Sequence, residues 1–314
     1  MKMILDLDTG IDDALAIAYA LGRPEIDLIG ITTAFGNVTI DKAVKNSLSI
    51  LELLGRSDVP VFEGAAHPST ATSFMTTDHL HRIHGLNGIG NVVLDEPKGQ
   101  KSTITAVDFL IDAAVTHNEE LVLVATGPMT NLAEAIKKDR AAIEKIGKIV
   151  VMGSALTVPG NISQFAEANI YNDPDAAKYV LESGIPLVLV GLDVTLKTMI
   201  EGSDIASWTE VDTAASRAIT EMATYYYTNE YEEEEIVGGA LHDPLAVEVA
   251  INPAIITASL PINLTVETKG PSIGRTTANM RLLNQKEKSA QVCVDVEGDL
   301  FIKKFTQTVH EILK

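Results

Sequence analysis

Residues 3–22 read MILDLDTGIDDALAIAYALG, and this stretch decides the fold. Its first five residues are apolar except for Asp6, the pattern of a buried strand. Thr9-Gly10 marks a turn. Asp12 and Asp13 then open a helical stripe of Ala14, Leu15, Ile17, Ala18 and Leu21, closed by Gly22 and Pro24. Strand, tight turn and helix follow one another, and the carboxylates of Asp6, Asp8, Asp12 and Asp13 crowd the junction.

Asp12 and Asp13 have a local explanation, since acidic groups in a first helical turn favour the positive end of the helix dipole. Asp6 and Asp8 do not. A carboxylate at the end of a buried strand loses hydration, and ionised neighbours raise its pKa further. A bound divalent cation removes that conflict. All-oxygen donors at this density suit a hard ion such as calcium or magnesium. A metal site is expected here, against the plainer reading of helix capping plus surface aspartates.

Outward from this unit, strands at 27–33, 59–62, 121–125, 148–152 and 186–190 alternate with helices at 40–54, 105–115, 129–138 and 173–182. Continuous apolar strands separated by amphipathic helices predict an α/β fold, a doubly wound domain with a mostly parallel central sheet and right-handed crossovers. No Pro/Gly/Ser-rich linker or internal repeat divides residues 1–314, so one domain is expected. Ligands in such folds gather outside the carboxyl ends of the strands, which is where an active site is expected. The residues there are Asp8-Thr9-Gly10, residues 33–37, Thr126-Gly127-Pro128, Met152-Gly153-Ser154 and Asp193. They predict one polar pocket built from several strand ends.

Two long irregular stretches interrupt the pattern. Residues 63–92 contain HLHRIHGLNGIGN. His79, His81 and His84 are candidates for a metal cluster, but a glycine-hinged loop closing over a pocket is the favoured reading. Residues 155–172 carry Asn161, Glu167, Asn169 and Asn172, a set suited to a ligand with several hydroxyls. Further on, 211–231 predicts a long helix ending in YYYTNEY, followed by an acidic run at 232–235 read as a solvated face. Tyr225, Tyr226 and Tyr227 are either core aromatics or a stacking face for a planar ligand. His242-Asp243-Pro244 precedes the apolar run 245–251. The last part, at 260–267, 291–296 and 301–313, predicts two strands and a closing helix.

A net charge of −19 argues against binding nucleic acid by phosphate neutralisation and against an anionic membrane surface. Cys293 is the sole cysteine, which excludes an internal disulfide and a Cys-only zinc site. Its setting, QVCVDV, makes it a buried bystander. The amino-terminal apolar run is too short and acidic for a secretory leader, and no apolar run approaches a membrane span. A cytoplasmic protein is expected.

Taken together, the motifs resemble the nucleoside hydrolases along most of the chain. DLDTGIDDA (6–14) matches that family's aspartate cluster. Gly36-Asn37, HGLNGIGN (84–91), ATGPMTNLA (125–133), GNISQFAEANIYNDPDAA (160–177) and HDP (242–244) follow in the family's order. The resemblance implies calcium-dependent hydrolysis of the N-glycosidic bond of a ribonucleoside, giving free base and ribose through an oxocarbenium-like state. Carried over residue by residue, the Ca2+ ligands are Asp8, Asp13, the main-chain carbonyl of Thr126, and Asp243. Asp8 is also the general base for the attacking water. Asp12 and Asn169 hold the ribose 2′-hydroxyl, Asp243 the 3′-hydroxyl, and Asn161 with Glu167 the 5′-hydroxyl. Asn37 and Met152 line the ribose end. His242 protonates the departing base, as in the inosine–uridine-preferring group, and His84 with Tyr227 or Tyr231 surrounds that base.

The chain departs from the family's pattern just before HDP, where Glu230 and Glu234 stand at the offset of a base-contacting residue. The resemblance further implies a homotetramer or dimer and a place in nucleoside salvage. Two rival readings stand beside it. One is a DxD-type magnesium phosphohydrolase with Asp6 as nucleophile, which lacks an acidic pair after a late strand. The other is a non-catalytic nucleoside- or calcium-binding protein, against which the presence of both Asp8 and His242 argues.

Overall fold

The sequence's opening unit forms β1 (Lys2–Leu7), a turn at Asp8-Thr9-Gly10, and α1 (Ile11–Leu21). The computed structural model describes residues 1–231 and 238–314. From this start the chain runs through β2 (Asp27–Thr33), α2 (Ile40–Leu53), β3 (Val61–Glu63), α3 (Asp78–His84), α4 (Ala106–His117) and β4 (Leu121–Ala125). Next come α5 (Thr130–Ile143), β5 (Lys148–Met152), α6 (Ala168–Asn172), α7 (Pro174–Leu181), β6 (Leu187–Val190) and α8 (Leu192–Thr195). The last third holds β7 (Met199–Ile200), α9 (Ala214–Asn229), β8 (Gly239–Ala240), α10 (His242–Ile251), β9 (Ile256–Ile262), β10 (Leu264–Val266), β11 (Thr276–Ala278), β12 (Ala290–Val296) and α11 (Gly298–Ile312).

Among the described residues the central sheet has the order β3-β2-β1-β4-β5-β6-β12-β9. Every neighbouring pair is parallel except β12 and β9, which run antiparallel at one edge. The α/β, mostly parallel expectation holds. The strand order reverses between β1 and β4, where Asp6 faces Ala125 in register, so the loops beginning at Asp8 and Thr126 diverge at a crevice.

Helices cover both faces. On one, α1 packs against α2, α9, α10 and α11; on the other, α4, α5 and α7 lie together. α1 and α10 are buried almost all round, which explains their near-continuous apolar sequence. Each fully buried Leu or Ile there contributes about 1.5–3 kcal/mol. The buried Glu248 of α10 receives the Tyr19 hydroxyl at 2.7 Å, Lys304 at 2.7 Å and Arg23 at 3.1 Å, so its charge is matched.

Some boundaries differ from the sequence reading. The strand expected at 59–62 lies at 61–63, and the helix expected from 211 begins at Ala214, because the Thr213 side chain caps it by accepting from the Ser216 amide. The strand expected at 260–267 is two strands in different sheets. Asn263 turns the chain between them, its Oδ1 accepting from the Ser289 amide at 2.9 Å. Residues 63–92 are not wholly irregular, since α3 forms behind a Thr77 cap. The acidic run 232–235 lies outside the described residues.

Candidate active site

The turn after β1 concentrates charge because the backbone holds it there. Asp13 accepts from the Gly10 amide at 2.8 Å, capping α1, and from the Thr126 hydroxyl at 3.1 Å. Asp8 accepts from the Asn37 amide at 2.7 Å and from the Asn37 side chain at 3.1 Å. The same Asn37 nitrogen reaches Asp13 at 3.2 Å, so this residue bridges the two carboxylates. Gly36 lets Asn37 come so close, since a Cβ there would sit 1.8 Å from Asp8 Oδ2.

Asp12, Asp13 and Asp243 bring one carboxylate oxygen each to within 4.8 Å of one another, all buried. Burial, then the charge of Asp13, raises Asp12 to about 7. Burial and neighbouring aspartates push Asp8 and Asp243 well above the usual carboxylate range, and burial raises Asp13. Asp12 Oδ1 and Asp243 Oδ2 are buried with no hydrogen-bond partner among the described residues. Orphaned oxygens on crowded carboxylates are what a hard cation satisfies, so the donor set fits a calcium-type ion. Asp8 is not one of the three converging residues; it adjoins them through Asn37 and Asp13.

Asp12, Asn37, Thr126 and Asp243 edge a partly enclosed cavity. Its polar floor is formed by Asp12, Asn37, Thr126, Met152, Asn161, Glu167, Asn169 and Asp243. Asn169 donates its side-chain nitrogen to the Thr126 carbonyl at 2.6 Å, which leaves its own carbonyl oxygen as an acceptor. Glu167 caps α6, accepting from the amides of Ser154, Asn169 and Ile170. Asn161 Oδ1 accepts from the Ala168 amide at 3.0 Å.

The cavity is also lined by His79, Leu80, Ile83, His84, Tyr226, Glu230, Tyr231 and His242. His84 Nδ1 accepts from the Ile11 amide at 3.2 Å, and burial lowers its pKa to about 3. The ring is therefore neutral, with its proton on Nε2. His242 Nδ1 meets the Thr195 hydroxyl at 2.7 Å, and Nε2 meets Glu230 Oε1 at 2.8 Å. Burial pushes the His242 pKa down, but Glu230, Asp12 and Glu167 outweigh it, and the net shift is upward.

Most of the expected residues therefore meet in one place. Tyr227 does not. Successive helical residues point about 100° apart, and on α9 it is Tyr226 that reaches the cavity, while the Tyr227 hydroxyl lies beside Gly202. The histidines of 79–84 form no metal cluster among the described residues: His81 bonds Thr76, His79 meets Arg82, and His84 faces Ile11. Asp6 is sealed beneath the site, bonded by Thr32 and Asn131 and raised by burial to about 6, so it cannot serve as an exposed nucleophile. Sequence reasoning missed Leu80, Ile83 and Thr195, and offered Tyr226 only as one of the three tyrosines at 225–227. Glu230 carried a signal, its offset from His242, but not a role.

A family model described as inosine-uridine preferring nucleoside hydrolase matches residues 3–303. The chain belongs to that family. It is thus a nucleoside hydrolase, an enzyme that cleaves the N-glycosidic bond of ribonucleosides. Uridine nucleosidase 1 of Arabidopsis thaliana is 35% identical over 308 residues, 95% of this hydrolase and 90% of that protein. The pyrimidine-specific ribonucleoside hydrolase RihA of Citrobacter koseri is 35% identical over 306 residues, 96% of each chain. Among solved structures, a purine-preferring ribonucleoside hydrolase from Gardnerella vaginalis superposes with a TM-score of 0.97 at 44% identity, covering 100% of this hydrolase and 99% of that chain. No helix among the described residues of the hydrolase is long and apolar enough to cross a membrane.

Proposed function

We propose that this hydrolase works with calcium held by Asp8, Asp13, Asp243 and the main-chain carbonyl of Thr126. The observation that supports the proposal is the convergence of buried Asp13 and Asp243, far apart in sequence, with Asp243 Oδ2 lacking a partner among the described residues and Asp8 joined to Asp13 through the Asn37 side chain. Bound there, calcium would serve as a template for sugar hydroxyls and water, lowering the pKa of that water much less than zinc does.

The chain's own groups supply the remaining chemistry. Asp8, oriented by both nitrogens of Asn37, takes the proton of the attacking water. Asp12, through its unpartnered Oδ1, and Asn169, through its uncommitted carbonyl, accept from the 2′-hydroxyl. Asn161 and Glu167 hold the 5′-hydroxyl, with Asn37 and Met152 lining the ribose. The carboxylates of Asp12 and Glu167 stabilise positive charge developing on the sugar. His242 gives a proton to the departing base, around which stand His84, Tyr226 and Tyr231. The setting this implies is a homodimer or homotetramer in the cytoplasm, acting in nucleoside salvage.

The test is a panel of purine and pyrimidine ribosides and deoxyribosides, scored by reducing-sugar release with and without chelator. Release from ribosides alone, lost on chelation and restored by calcium, is the expected result. Undiminished turnover by thoroughly metal-stripped protein would sink the calcium assignment.

A further inference from the structure

The contact between Glu230 and His242 joins two elements across the cavity wall. Glu230 closes α9, while His242 opens α10. Both side chains are almost fully buried, at 5% and 6% exposure. Glu230 Oε1 lies 2.8 Å from His242 Nε2, and Glu230 Oε2 accepts from the Ala240 amide at 2.6 Å. On the far side of the ring, Thr195 Oγ1 lies 2.7 Å from Nδ1. The Tyr231 hydroxyl lies 3.4 Å from Nε2, and of these neighbours Glu230 and Tyr231 line the cavity while Thr195 does not. Nε2 is therefore the nitrogen on the substrate side, and the backbone of β8 fixes its acceptor.

We propose that Glu230 is a positioning residue for the leaving-group acid: it holds the His242 ring with Nε2 at the cavity and keeps the Nε2–H on its own Oε1 until the departing base takes that proton over. The inference rests on the reading of His242 as that acid. Without Glu230 the imidazole keeps the Thr195 contact at Nδ1 and the longer Tyr231 hydroxyl contact at Nε2, 3.4 Å, so the carboxylate anchored by a main-chain amide is the charged group that fixes the plane. In the step it serves, the C–N electron pair passes to the base. The Nε2–H bond breaks, a base N–H bond forms, and a neutral imidazole stays behind. Glu230 shares the proton before transfer and is not itself consumed. Glutamine cannot replace it. One of its amide atoms is a donor, so either the Ala240 amide or Nε2–H faces a donor and loses its acceptor.

The experiment compares Glu230→Gln, Glu230→Asp and His242→Ala on a natural ribonucleoside and on 4-nitrophenyl riboside, whose leaving group needs no acid. Aligned general acids supply about 10²–10⁴-fold, so Glu230→Gln should slow the nucleoside at least roughly tenfold more than the aryl riboside, in kcat rather than KM. Glu230→Asp, which keeps the charge but withdraws it by one methylene, should show a smaller preference of the same sign. Aryl riboside turnover also reports that each variant is folded. Equal slowing of both substrates by the two Glu230 variants, or no slowing, overturns the proposal provided His242→Ala discriminates between them. If His242→Ala itself slows both equally, the acid assignment has failed, and the positioning role fails with it.

Discussion

The Nδ1 atom of His84 accepts a hydrogen bond from the main-chain amide of Ile11 at 3.2 Å. This contact ties the end of α3 to the first turn of α1, beside the aspartate cluster. It also occupies an amide that the start of the helix would leave without a partner. Gly10 makes room for it: a Cβ at that position would lie 2.7 Å from the His84 ring nitrogen.

His84 should therefore remain the neutral Nε2–H tautomer throughout the working range. Burial sets its folded pKa near 3, against roughly 6.5 unfolded. The depressed value means that its contribution to stability is complete above about pH 6.5 and is lost as pH falls toward 3. Nitrogen-resolved NMR of the ring between pH 5 and 9 should show no titration. His84→Ala should cost about 1–3 kcal/mol, because a buried amide loses its acceptor, and a denaturant melt measures this.

Removing the metal should invert the usual pH profile of stability. In the cation-free protein burial and Asp13 raise Asp12 to about 7, while an unfolded aspartate titrates near 3.9. A raised folded pKa gives a contribution that is present below about pH 4 and lost as pH rises through 7. Chelated protein should melt roughly 3 °C lower at pH 8 than at pH 5.5. Added calcium should reverse the order, since protons compete for its ligands. A chelated Tm that rises with pH would contradict the crowding described here.

Asp243→Asn should separate stability from function. It relieves repulsion among Asp8, Asp12, Asp13 and Asp243, each raised in part by its charged neighbours or by burial. In chelator the variant should melt at or above the parent. Calcium should then raise its Tm far less than the parent's, and turnover should fall by at least about 10²-fold. Calorimetry with and without calcium checks both halves.

Asp12→Ala should erase the discrimination between ribosides and deoxyribosides. Its Oδ1 has no partner among the described residues and stands at the polar floor of the cavity. A site built to bond a hydroxyl penalises the analogue lacking it because its own polar groups stay unpaired. With that acceptor gone the ratio of kcat/KM for the two sugars should shrink by about tenfold or more, mainly through loss on the riboside.

Much of this was legible in the sequence for physical reasons. The strand-turn-helix at 3–22 is local, and its crowded aspartates demand an explanation wherever they are read. Strand periodicity then fixes which loops share an edge of the sheet, so Asn37, Thr126 and Met152 could be placed together. What could not be read was the direction of individual side chains on α9. Three consecutive tyrosines look alike in sequence, yet one residue is a third of a turn, and only Tyr226 faces inward. The Thr195 contact with His242 was equally invisible, because it depends on how α8 meets α10 in space.

The meeting of Asp12 and Asp13 with Asp243 also bears on how the protein is made. The first two leave the ribosome early, and most of the chain must follow before the third appears. At about 5–20 residues per second that interval is on the order of tens of seconds. During it the nascent amino-terminal carboxylates hold only a fragment of a binding site. Ion capture is therefore an event of late biogenesis, and a chain stalled before Asp243 emerges would have no means of completing it.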